Sequence, residues 1–72
     1  MNRTEHLNWA KERALEYLEL NQLENAWLSF YSDLNKHEEL RKHNGLQLGR
    51  QLKYAGFLNC VEEMKDFIKG FN

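Results

Sequence analysis

The chain has no proline, only four glycines and one cysteine in 72 residues. Without proline no position is barred outright from a helix interior, and the few glycines leave only a handful of built-in stops. A lone Cys60 closes no internal disulfide and fits a reducing compartment. No apolar run approaches the ~20 residues of a membrane span. The opening MNRTEHLNWAKER lacks the apolar stretch of a signal peptide, so the expected location is the cytoplasm, with no membrane contact. A strong charge of either sign is missing too. The net charge of −1 argues against general affinity for nucleic acid or membrane surfaces.

What is present is apolar surface. Hydrophobic residues make up 42% of the chain and aromatics 12%, enough to offset the entropy of ordering, so a folded domain is expected. Its length allows one domain over residues 1–72 and one core.

The organising stretch is Ala10 to Leu34, AKERALEYLELNQLENAWLSFYSDL, where two apolar helical stripes meet across Asn21-Gln22. Thr4 is the expected N-cap of the first helix, with Glu5 facing the positive end of its dipole. Leu7, Ala10, Ala14, Tyr17 and Leu18 then fall within about a 100° arc. Trp9 and Leu20 lie on the opposite half. Asn21 to Glu24 has capping-box spacing and opens a second helix with Leu23, Ala26, Trp27, Phe30 and Leu34 on one stripe. Tyr31 widens that stripe and Leu28 is off it. Residues 36–45 read as a linker broken at His43-Asn44-Gly45. A third helix over about 46–55 is expected to bury Leu48, Leu52 and Ala55, with Gly49 permitting a close helix approach and Gly56 ending it. Asn59 is the expected cap of a fourth helix carrying Val61, Met64, Phe67, Ile68 and Phe71 to a stop at Gly70. The expected fold is therefore all-α: about four short helices in two packed αα-hairpins, spanning about 5–35 and about 46–71.

Two resemblances follow from these residues. Ala14, Tyr17, Asn21, Ala26 and Phe30 have the cadence of a tetratricopeptide repeat. Gly49, Leu52, Gly56 and Val61 echo the first four, 35 residues on. Lys65 stands where an aromatic should close the second unit, and no proline ends either one. The runs TEHLNWAKERALEYLE, AWLSFYSDLNKHEE, LQLG and EEMKDFIKGFN, covering most of the chain, resemble a group of small proteins encoded by tailed bacteriophages. That likeness implies an accessory protein acting in the cytoplasm of a bacterial host. It supplies no mechanism and no functional residues.

Chemistry-bearing residues are sparse. His6, His37 and His43 match no zinc spacing, and no metal or other cofactor is expected. Cys60 is expected to be partly buried. Glu12, Glu16 and Glu19 line one helical side as a solvated face, whereas acid–base work needs carboxylates on opposed walls of a cleft. No enzyme is expected. Two surfaces remain. Trp9, Arg13, Leu20 and Leu28 combine off-stripe apolar groups with an arginine, the composition of a protein-binding patch. Lys42, Arg50, Lys53 and Tyr54 give the third helix a basic face, with His43 and Leu46 beside them. That face suits either phosphates, with Tyr54 stacking on a base, or an acidic protein surface. The charge distribution suggests one such surface within the chain. Residues 1–34 carry six acids against three bases, and residues 35–58 five bases against two acids. The expected function is protein binding, with a host factor or a second copy as partner and a homodimer as the expected state. Nucleic-acid binding through the third helix is the alternative.

Overall fold

The computed structural model describes residues 2–72, which form four helices: α1 (Arg3–Glu19), α2 (Leu23–Asn35), α3 (Asn44–Tyr54) and α4 (Val61–Lys69). The fold is all-α. No helix among the described residues is long and apolar enough to cross a membrane.

The N-cap of α1 falls two residues before Thr4. Asn2 is its N-cap, because the Asn2 side chain accepts from the Glu5 amide at 2.8 Å while the Glu5 carboxylate accepts from the Asn2 amide at 3.3 Å. This closed box satisfies two amides that would otherwise lack partners. At the other end Asn21 adopts the left-handed conformation (φ 58°) and turns the chain back, a role asparagine tolerates better than most residues. The cap position of α2 therefore falls on Gln22, whose side chain makes no capping bond. Cys60, rather than Asn59, precedes α4; it is exposed, and its thiol donates to Glu63 at 3.6 Å.

α1 and α2 pack closely as an antiparallel hairpin. Ala10 and Ala14 of α1 and Ala26 of α2 are fully buried, so the helices approach closely and leave room for Leu7, Leu18, Phe30 and Leu34 around them. α4 packs across both helices, with Met64 and Ile68 fully buried. Leu40, in the turn-rich segment between α2 and α3, plugs the same core. Donors from other elements hold the end of α4 and the residues beyond it. Lys11 bonds the Lys69 carbonyl (3.1 Å), Arg3 the Asn72 carbonyl (2.8 Å), and His43 Nε2 the same Asn72 oxygen (2.5 Å). Partial burial pulls the Lys11 pKa below its ordinary value.

α3 is rotated relative to the stripe read from its leucines. Leu46, expected on the outer basic side, is buried at 4% exposure, whereas Leu48 is 52% exposed and Ala55 is exposed too. The cause is glycine. A Cβ on Gly49 would sit 2.6 Å from Phe67 Cζ and 2.9 Å from Trp27 Cη2, and one on Gly45 would sit 2.8 Å from Phe71 Cε2. The side of α3 that faces α4 is therefore its bare one, where the rings of Phe67 in α4 and Phe71 just beyond it lie on backbone. After α3, Gly56 (φ 90°) and Leu58 (φ 57°) reverse the chain. A left-handed leucine costs roughly 1–2 kcal/mol, which burial of the Leu58 side chain opposes.

Candidate functional site: the α2–α3 groove

α3 reaches the core at its Leu46–Gly49 side and splays from α2 elsewhere, leaving an open groove of ≈ 650 Å³ between them. Trp27 forms its floor. It is buried to 8% exposure, with the Tyr31 ring 5.5 Å away and the Phe67 ring 6.3 Å away. Leu28 walls it on α2 and Tyr54 on α3, and both stand in solvent at 59% and 88% exposure. Across the rim Lys53 Nζ meets Glu24 Oε1 at 2.5 Å. The Lys53 side chain is largely covered, so its stem lies along the groove and its charge is answered by Glu24.

Arg50 is different. It is exposed, it borders this groove and the two adjoining depressions, and no carboxylate pairs with it among the described residues. Arg41 lines one of those depressions beside it. The site is thus an aromatic floor, two exposed apolar walls and one uncommitted guanidinium, the residue types that dominate binding energy at protein interfaces.

This groove joins one residue of the first set read from the sequence to three of the second. Leu28 comes from the expected apolar patch; Arg50, Lys53 and Tyr54 come from the basic face. Lys42 lies outside, exposed in the turn before α3. Leu20 is also exposed and lies at the C-terminal end of α1, in a shallow depression with Arg13, Glu16 and Tyr17. Trp9 and Arg13 have internal contacts. Arg13 Nε binds the buried Asp33 carboxylate at 2.8 Å, its guanidinium lies 5.0 Å from the centre of the Trp9 ring, and Trp9 packs partly buried against the core. Glu24, Trp27 and Tyr31 were missing from the sequence-derived site. They lie one turn apart along α2, but periodicity does not say on which side of α2 the third helix settles.

The histidines form contacts of their own. His6 and His37 come within 5.1 Å of each other, centroid to centroid. His6 Nε2 donates to the Asp33 carbonyl at 2.6 Å, and His37 Nδ1 accepts the Glu39 amide at 3.2 Å. With Nδ1 of His37 occupied as an acceptor, its proton sits on Nε2, so the pair does not offer two free lone pairs to a cation. No cluster of three or more potential metal ligands occurs among the described residues.

A scan against protein-family models, a search of curated proteins and a search of solved structures each return no match for this chain. The bacteriophage and tetratricopeptide likenesses therefore rest on the residues quoted for them.

Proposed function

We propose that this chain acts without catalysis, by binding another protein in the α2–α3 groove, as a small accessory factor in the cytoplasm of a bacterial host. The observation that carries the reading is Arg50, an unpaired guanidinium between the exposed Tyr54 and the aromatic floor of the groove. A partner that buries Tyr54 and Leu28 and presents a carboxylate to Arg50 gains apolar area and a charge-assisted hydrogen bond together. The bacteriophage likeness makes a host protein a natural partner.

The nucleic-acid reading draws on the exposed Tyr54 beside Arg50. Its weakness is charge. Lys53 is already answered by Glu24, and Lys42 stands outside the groove, which leaves Arg50 and Arg41 to meet phosphates. Two or three phosphate contacts on a single strand correspond to a salt slope of only about −1.4 to −2.

Affinity capture from bacterial lysate tests the proposal when the wild-type chain is compared with Arg50→Glu and Leu28→Asp. A specific partner is expected to be retained by the wild type at raised salt and lost by both variants. A partner held equally by all three rejects the groove. Binding of a labelled single-stranded oligonucleotide that weakens with salt at about that slope and is lost by Arg50→Glu favours the alternative.

A further inference from the structure

The most complementary surface to this groove visible in the structure belongs to the chain itself. Glu12, Glu16 and Glu19 are all exposed and, at 100° per residue, share a sector about 60° wide on α1. None of the three pairs with a cation among the described residues. Leu20, 66% exposed, follows directly at the end of the same helix. One end of the molecule thus offers an apolar side chain beside unanswered carboxylates. The groove offers exposed apolar walls beside an unanswered guanidinium. Within one chain the two surfaces leave each other unused.

We propose that the groove is occupied by the C-terminal end of α1 from a second copy of this chain, with Leu20 against Tyr54 and Leu28, and with Glu16 or Glu19 at Arg50. The proposal rests on reading the groove as a protein-binding surface and names its occupant. A two-fold dimer makes this contact twice, since each copy contributes one groove and one helix end. The pairing brings together charges that are solvated separately in the monomer and covers three of the large hydrophobic side chains that the monomer leaves exposed. It also makes the dimer self-limiting: a foreign partner that takes the groove must displace the second copy, so groove binding and dimerisation compete.

Charge reversal tests the pairing. Light scattering coupled to size exclusion is expected to give the wild type twice the 8.7 kDa chain mass at micromolar concentration. Arg50→Glu and Glu16→Arg/Glu19→Arg are each expected to raise the dissociation constant about tenfold or more, and combining them in one chain to restore the dimer. All three positions are exposed, so circular-dichroism melts should stay close to wild type. The proposal is overturned by a wild-type mass of one chain throughout, by a dimer indifferent to both reversals, or by reversals whose combination recovers nothing. A monomeric wild type whose lysate partner is still lost on Arg50→Glu removes the second copy as occupant while the groove reading stands. A dimer whose concentration-dependent amide shifts avoid Arg50, Tyr54 and Leu20 places the contact elsewhere and rejects the pairing.

Discussion

Arg13 Nε and Asp33 Oδ2 lie 2.8 Å apart, and the Asp33 side chain is 1% exposed. This pair rivets α1 to α2. Ser29 Oγ donates to the same carboxylate oxygen at 3.4 Å, and Lys36 Nζ approaches the other at 3.5 Å. The backbone oxygen of Asp33 accepts from His6, so one residue of α2 is bonded to α1 at two positions about two turns apart. Trp9 lies over this arrangement, its ring 5.2 Å from His6 and 5.0 Å from the Arg13 guanidinium.

Arg13→Ala is expected to destabilise the chain by about 1–3 kcal/mol. Removing one partner of a fully buried pair costs 3–5 kcal/mol, but Arg13 is itself partly in solvent and Lys36 remains to answer the charge. In a domain of this size each kcal/mol lowers Tm by roughly 4–8 °C. A double-mutant cycle with Asp33→Asn should return a coupling energy above about 0.5 kcal/mol. Additive melts would mean that the two groups stabilise independently.

Gly49→Ala is expected to destabilise even though alanine favours helices. The propensity gain is about 1 kcal/mol. Against it, the new methyl meets Phe67 Cζ at 2.6 Å and Trp27 Cη2 at 2.9 Å, large rings of which Trp27 is buried and Phe67 packs partly buried against the core, and overpacking costs typically 1–3 kcal/mol. The net loss should be about 1 kcal/mol, read as a lower urea midpoint. A midpoint at or above wild type would show that the rings can step aside.

His43 joins two parts of the chain. Its Nδ1 accepts the Gly45 amide at 2.8 Å and caps α3, while Nε2 donates to the Asn72 carbonyl at 2.5 Å beside the Phe71 ring. His43→Asn preserves a capping side chain but is too short to reach Asn72, and His43→Ala loses both bonds. The alanine variant should lose about 1–2 kcal/mol and the asparagine variant about half of that. Hydrogen exchange should quicken at the C-terminal end of α4 in both variants and at the start of α3 only in His43→Ala.

The helices were legible in the sequence wherever side chains supply the packing face. Leu7, Ala14, Leu18, Ala26, Phe30, Met64 and Ile68 are buried as their spacing implies. α3 was not legible in the same way. Its inner side is made by glycines, and a pattern of apolar side chains is blind to the face where a helix packs through bare backbone. Leu48 and Ala55 were expected inside for that reason, and Leu46 outside. Leu40 was hidden because a turn has no period. The groove was legible in composition, through Leu28, Arg50, Lys53 and Tyr54, but which of their neighbours it would gather depended on where α3 settled against α2.

The groove offers one more test, because its walls and its floor belong to different parts of the energetics. Leu28 and Tyr54 stand mostly in solvent, so Leu28→Ser and Tyr54→Ala should each shift stability by no more than about 0.5 kcal/mol. Trp27, one turn from Tyr31 and pressed between Phe67 and the bare backbone at Gly49, supports the junction of α2, α3 and α4. Trp27→Ala should cost about 3–5 kcal/mol, a large share of the total stability of so small a domain. Thermal melts of the three variants, followed by circular dichroism, separate the two roles. If Leu28→Ser or Tyr54→Ala melts as low as Trp27→Ala, the walls are part of the core and the groove closes in solution. If Trp27→Ala melts with wild type, α3 is not held where its glycines meet the aromatic rings, and the groove loses its floor.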